Sequence, residues 1–258
     1  MTPGASGDVI VDRVDSTLVI AINRPEKRNA MTRFASENIA AALDRLDEDD
    51  SLAVGIITGS DETFCSGMDL EHFAAGEAAS IPGRGFGGVT ERPSVKPLIA
   101  AVEGYALAGG FEMVLACDLV VAGRGARFGL PEVRRGLVAR GGGLLRLPGR
   151  LPTAIAMQII LTGCSFDAYK AHDWGLVNDV VEDGGALQRA LELAHEIARN
   201  APLAIRASKR VIVESVDWPV ADFFERQASI TDPVFESEDA LEGARAFIEK
   251  RSPRWTGR

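Results

Sequence analysis

The sequence predicts an α/β fold of stacked βα units that gives way to a layer of helices in its last third. Two observations predict it. Short apolar, β-branched runs alternate with helical periodicity through the first half of the chain. From Pro152 onward helical spacing dominates, and WGLVNDVVE (174–182) is the one clear strand signal.

Taken in order, DVIVDRVDSTLVIAI (8–22) reads as a hairpin of two apolar runs parted by Asp15-Ser16. Pro25 breaks the pattern. A helix from about Thr32 follows, with Ala35, Ile39, Ala42, Leu43 and Leu46 on one face. The acidic run DEDD at 47–50 reads as its solvated end. SLAVGIITG is a buried strand, FCSGMDLEHF a turn into a short helix, and KPLIAAV a second buried strand. Ala108-Gly109-Gly110 opens another helix, and DLVVA (118–122) is the strand after it. Residues 74–94, rich in Gly and Pro, have little periodicity and read as a mobile loop of the kind that rims a site. Leu187, Ala190, Leu191, Ala194 and Ile197 keep helical spacing in the last third. Met157, Phe223 and Phe224 default to core or ligand-pocket lining.

Composition narrows the function classes. At 258 residues and 46% apolar, the chain is long enough to bury a large core. A net charge of −9 argues against nucleic-acid binding, which relies on clustered Lys and Arg. Three dispersed cysteines fit a reducing compartment, with Cys65 and Cys117 read as small core residues. MTPGASGD lacks the basic and apolar regions of a signal peptide. No apolar run approaches the ~18 residues of a membrane span. The expectation is a cytoplasmic protein with no membrane partner. His72, His172 and His195 show no metal-ligand spacing, so no metal is expected.

The most informative residues are two glutamates in apolar, glycine-rich surroundings, Glu112 in GYALAGGFEMVLACD and Glu132 in ARFGLPEVRRGL. A buried carboxylate costs several kcal/mol or gives up its charge, so such a pair points to proton chemistry. Each also has a plainer reading, Glu112 as a helix-start acid and Glu132 as the ion partner of Arg134 or Arg135. The bare N–H groups at the Gly109 helix start can face an anion or a developing oxyanion.

NRPEKRNAM (23–31), FCSGMDL (64–70), KPLIAAVEGYALAGGFEMVLACDLVVA (96–122), FGLPEVRRGLVARGGGLLRLP (128–148) and AHDWGLVNDVV (171–181) together resemble the crotonase, or enoyl-CoA hydratase/isomerase, superfamily. The resemblance runs from about residue 8 to 250. It implies the crotonase (ClpP/crotonase-like) spiral of ββα units over 1–195, with a helical trimerisation or lid region over 196–258. It implies an oxyanion hole built from the backbone N–H groups of Met68 and Gly109, and Glu112 and Glu132 as the acid pair of the hydratase branch. Coenzyme A would contact Lys27, Arg28, Ser66, Asp69 and Leu70, with Lys250 reaching a CoA from the C-terminal region. Asp69 also reads as a turn cap. Ala108 stands where the family often has the first glycine of a GGG run, and Ser66 where alanine is common.

The implied activity is hydration of trans-2-enoyl-CoA to 3-hydroxyacyl-CoA, with no cofactor beyond the CoA of the substrate. A carnitinyl-CoA dehydratase or an enoyl-CoA isomerase keeps the fold and changes the reaction. A non-catalytic CoA-binding scaffold is the reading from another class. The expected assembly is a homotrimer or dimer of trimers.

Overall fold

Side chains alternate across a strand, so the inner strands of the main sheet serve two cores at once. The computed structural model describes residues 7–92 and 94–258; most of the N-terminal segment read for a leader lies outside them. The expected hairpin forms as β1 (Val9–Val14) and β2 (Thr17–Ile22), antiparallel with Val9 opposite Ile22. Helix α1 (Arg33–Glu48) starts at Thr32, whose hydroxyl accepts the Ala35 N–H at 3.1 Å. Then come β3 (Val54–Gly59), α2 (Leu70–Ala74), the small hairpin β4 (Ser80–Ile81) and β5 (Gly85–Phe86), β6 (Leu98–Val102) and β7 (Tyr105–Leu107). Helix α3 (Gly109–Ala116), β8 (Leu119–Gly123) and β9 (Arg127–Gly129) lead into a single-turn segment, Pro131–Arg135. The remainder is α4 (Gly143–Arg150), α5 (Thr153–Thr162), β10 (Ser165–Asp167), α6 (Ala168–Asp173), β11 (Asp179–Val181), α7 (Ala186–Ala198), α8 (Pro202–Glu214), α9 (Phe223–Phe235) and α10 (Glu238–Glu249).

The main sheet has the order β1-β2-β3-β6-β8-β11, parallel throughout except for β1 against β2. Leu18, Ile20, Ile22, Ile57, Ala100 and Val102 face the larger core, where Ile39, Leu43 and Leu46 of α1 meet them. Val19, Val54, Ile56, Ile99, Ala101 and Val121 face the other way, covered by Ala186, Ala190 and Ala194 of α7. Three alanines one turn apart let that helix lie close on the sheet. A leucine fully buried in the larger core, or an isoleucine in the other, contributes about 1.5–3 kcal/mol.

A second sheet, β10-β9-β7, was not visible in the pattern because its strands are three residues long. Phe111, Phe128 and Phe166 pack with ring centroids 5.6–5.7 Å apart and clamp it to α3.

Three expectations are corrected. Much of segment 74–94 is built in: residues 84–90 are buried, and Arg84 donates to Ala40 O at 2.7 Å and to Asp44 at 2.9 Å. Its glycines serve close packing, since a Cβ at Gly88 would overlap the Ser36 carbonyl of α1. Asp47 in DEDD tethers the chain, accepting from Ser94 Oγ at 2.8 Å and from the N–H groups of Val95 and Lys96. Met157, Phe223 and Phe224 are 50%, 38% and 83% exposed, so they line no core of this chain. Their helical spacing marks an apolar face, whatever covers it.

Helices α8–α10 contribute little to either core, yet they are tied down by polar contacts. Lys209 Nζ donates to Asp118 at 2.6 Å and to Lys96 O at 2.8 Å. Asp239 is buried and accepts the N–H groups of Thr256 and Gly257, which binds the end of the chain to α10. Among the described residues no helix is long and apolar enough to cross a membrane.

Candidate active site

The parallel strands β3 and β6 deliver their C-terminal ends side by side, and the segments leaving them pair again. Cys65 bridges Ala106, with Cys65 N–H to Tyr105 O at 2.9 Å and Leu107 N–H to Cys65 O at 3.0 Å. This stitching brings the Ser66–Met68 turn against the start of α3, where a Cβ at Gly67 would stand 3.7 Å from Gly109 N. Among the described residues, neither the Met68 nor the Gly109 N–H meets an acceptor in the chain. Two unspent donors therefore lie close together at a helix N-terminus, an arrangement that suits a developing oxyanion.

Ala108, the residue before them, has φ 51° and ψ −127°, a conformation that favours glycine. It is held there by its N–H to Gly129 O at 2.9 Å. The site's geometry thus carries about 1–3 kcal/mol of backbone strain.

Glu112 lies one turn into α3 and is 3% exposed. Its Oε1 accepts the Gly143 N–H at 2.8 Å, from the glycine loop that opens α4. That loop comes close because Gly141 has no side chain: a Cβ there would stand 2.6 Å from Glu112 Oε2. Burial raises the pKa of Glu112, opposed by the N–H groups of Gly143 and Gly141 and by the charges of Arg146 and Arg140.

Glu132 sits in the turn Pro131–Arg135, and its Oε2 is buried without a hydrogen-bond partner among the described residues. Burial pushes its carboxyl up to about 7, with the neighbouring Glu112 charge adding to the rise. The plainer reading of Glu132 as an ion partner is not met, because Arg134 donates to Thr162 O at 3.0 Å and Arg135 acts on Glu132 only through space, with no ion pair from either among the described residues. Glu112 does occupy a helix first turn, but its carboxylate is bound by the Gly143 loop.

Phe86 was missed in the sequence. Its ring lies against Gly109 and its Cβ faces Gly141, so it forms a wall between the start of α3 and the Glu112 loop. No pattern could have found it, since it stands in the segment read as mobile.

The expected CoA contacts are less uniform. Lys27 and Arg28 are exposed, with Lys27 Nζ 2.8 Å from Glu71. Ser66 N–H donates to Arg28 O at 3.1 Å, which joins the two expected contact segments, and Leu70 beside it is exposed. Asp69 is buried, its carboxylate 3.0 Å from Arg24 and accepting the Glu71 and His72 N–H groups at the start of α2. Its side chain is therefore engaged in holding the turn. Lys250 follows α10 in the C-terminal layer, and no hydrogen bond among the described residues joins it to Ser66–Leu70. Cys65 and Cys117 are buried as expected, and burial pushes both thiols up to about 12.

A cleft of about 690 Å³ between α8, α9 and Ser94–Val95 contains none of these residues. Among the described residues no cluster of three or more His, Cys, Asp or Glu could hold a metal ion.

Residues 12–258 match the family model for enoyl-CoA hydratase/isomerase. The chain is 43% identical to a carnitinyl-CoA dehydratase of Proteus mirabilis over 94% of its length and 96% of the relative's. It is 40% identical to a mevalonyl-coenzyme A hydratase of Aspergillus fumigatus, covering 98% of this chain and 96% of that one. Among solved structures, an enoyl-CoA hydratase from Mycobacterium tuberculosis H37Rv superposes with a TM-score of 0.96 at 55% identity, over 97% of this chain and 99% of that one.

Proposed function

The chain belongs to the enoyl-CoA hydratase/isomerase family and has its crotonase fold, and from that premise we propose that it is an enoyl-CoA hydratase, adding water reversibly to a trans-2-enoyl-CoA to give a 3-hydroxyacyl-CoA. The observation that carries this reading is the unequal acid pair: one carboxyl fixed by loop N–H groups, the other buried and unpartnered with its pKa near 7. An isomerase that shifts a double bond needs essentially one base. Water addition uses both acids.

In this mechanism the thioester oxygen accepts the Met68 and Gly109 N–H groups, and the negative charge that builds on it as Cβ is attacked is held there. In other oxyanion holes one such donor contributes about 3–4 kcal/mol. Ionised Glu112 orients a water and takes its proton as the oxygen bonds to Cβ. Protonated Glu132 gives its proton to Cα, and the pair is reset by proton transfer from Glu112 to Glu132 through the next water. Because the carboxyls share one site, a single proton between them is the favoured state near neutral pH. These steps need only proton transfer and oxyanion binding, so we assign no cofactor beyond the CoA of the substrate.

Similarity to the carnitinyl-CoA dehydratase supports a second reading, in which the same acids eliminate water from carnitinyl-CoA. For the assembly we keep the trimer or dimer of trimers, with residues 196–258 as its contact layer. The support is the exposure of Ile212, Val216, Val220, Phe235, Phe247 and Ile248, all at least 70% exposed.

The test is loss of enoyl-thioester absorbance with crotonyl-CoA and longer trans-2-enoyl-CoAs, alongside water release from carnitinyl-CoA. Fast loss with the enoyl series, abolished in Glu132→Gln, is the expected result. Turnover of carnitinyl-CoA alone would move the assignment to the dehydratase.

A further inference from the structure

We propose that Arg146 is a positioning residue for the reaction: its guanidinium ties the loop that carries Glu112's hydrogen-bond donors to the segment that sets Phe86 against Gly109. The proposal builds on the reading of Glu112 as the base, and it adds a residue that acts through the Thr90 and Gly141 carbonyls.

Arg146 projects from the first turns of α4 and is only partly exposed. Its Nη2 donates to Thr90 O at 2.6 Å, 56 residues away in sequence, and its Nη1 lies 3.5 Å from Gly141 O. Both partners are main-chain carbonyls. Holding a guanidinium partly out of water costs free energy, and the bonds that offset it fix the backbone at Thr90 and Gly141.

What those carbonyls hold is the site. Thr90 is buried, and its hydroxyl accepts the Phe86 N–H at 2.8 Å, which fixes the ring that backs Gly109. Gly141 and Gly143 flank Glu112, and between them Gly142 takes φ 100° directly beneath the Arg146 guanidinium. One side chain therefore spans the oxyanion side and the base side. A helix residue serving only α4 would have no reason to reach Thr90.

The guanidinium also acts through space. The charged groups around Glu112 are Glu132 from the Pro131–Arg135 turn, Arg140 from the loop and Arg146 from α4, with Arg150 one turn further along facing Arg146. Arg146 and Arg140 favour the ionised form of Glu112, the form that accepts a proton from water.

The experiment is Arg146→Met and Arg146→Lys, each alone and in a Glu112→Gln background, with kcat and KM for crotonyl-CoA measured across pH 5–9. Arg146→Met should lower kcat about tenfold or more while KM moves less than about threefold, as misplacement of a catalytic group does. The acid limb of its kcat profile should move to higher pH. Arg146→Lys should recover part of kcat and keep the limb near its wild-type position. In Glu112→Gln the second substitution should cost little. An unmoved acid limb, or the same fold-loss in both backgrounds, would overturn the proposal.

Carbon-13 NMR of the Glu112 carboxyl, assigned with Glu112→Gln, gives a readout independent of turnover. Its titration should move to higher pH in Arg146→Met, and an unchanged titration overturns the inference. A wild type that hydrates no enoyl-CoA would sink the hydratase reading, and the titration would still decide for or against Arg146. If Arg146→Met does not fold, Arg146→Lys carries the test, because an ammonium keeps the charge and cannot span both carbonyls. Wild-type kcat in that variant would count against the proposal.

Discussion

The segments that carry Glu112 and Glu132 hold the same side chain in opposite ways. Glu112 sits on a helix, 3% exposed, and accepts the Gly143 N–H at 2.8 Å. Glu132 sits on a short turn and has a buried oxygen without a partner among the described residues. The first arrangement fixes direction. The second leaves a carboxyl that is more stable with a proton than without one, which is what a proton donor near neutral pH requires. In the proposed mechanism two identical residues become a base and an acid through their neighbours alone.

Removing either acid function should have the largest effect. Glu112→Gln and Glu132→Gln should each lower kcat for crotonyl-CoA by about 10²–10⁴, with the double variant far from additive. A single variant that keeps wild-type turnover would break the comparison.

The pH profile should sharpen it. Glu132 donates only while protonated, so kcat should fall as pH rises through about 7. In Glu112→Gln the neighbouring charge is gone, and the residual activity should begin to fall at a lower pH. A descending limb far above 9 would mean that Glu132 is not the donor.

Stability should separate the acids by a smaller margin. Glu132 has a raised pKa in the folded state, so wild type loses stability as pH climbs from the ordinary carboxyl range to about 7 and changes little above that. Glu132→Gln removes this loss. Its Tm should match wild type near pH 4.5 and exceed it by about 2–4 °C at pH 8. Glu112→Leu strands the Gly143 N–H at a cost of about 1–3 kcal/mol, so its Tm should lie below wild type at pH 4.5 and by less at pH 8, where the raised pKa of Glu112 already costs wild type stability. Melting curves at the two pH values decide it.

The smallest effect concerns the oxyanion side. Ala108→Gly relieves the backbone at φ 51° and should raise stability by about 1 kcal/mol with little change in kcat. A loss of stability would show that Ala108 is not strained.

Much of this was legible in the sequence because it rests on local pattern. The strand runs, the Thr32 helix and the glutamates in apolar surroundings stand out within a dozen residues. The parts that were not legible depend on distance or on packing. β7, β9 and β10 are too short for a period of two to show. Glycines at 85–88 look the same whether they loosen a loop or let it press against a helix, and here they do the latter. Arg146 meets Thr90 across 56 residues, which no window can contain. The spacing of Phe223 and Phe224 signals an apolar face without saying which surface covers it.

The order β1-β2-β3-β6-β8-β11 rises steadily along the chain. Each strand after the first therefore pairs with one the ribosome has already released, and the sheet can grow outward from its N-terminal edge during translation. The face served by Val19, Val54, Ile56, Ile99, Ala101 and Val121 has a different history, because the helix that covers it begins only at Ala186. Between the release of Gly123 and that of Ala186 the nascent chain carries a finished apolar surface and an open strand edge. Synthesis of this protein thus has an exposed interval, in which a pause would favour aggregation and a chaperone would have something to hold.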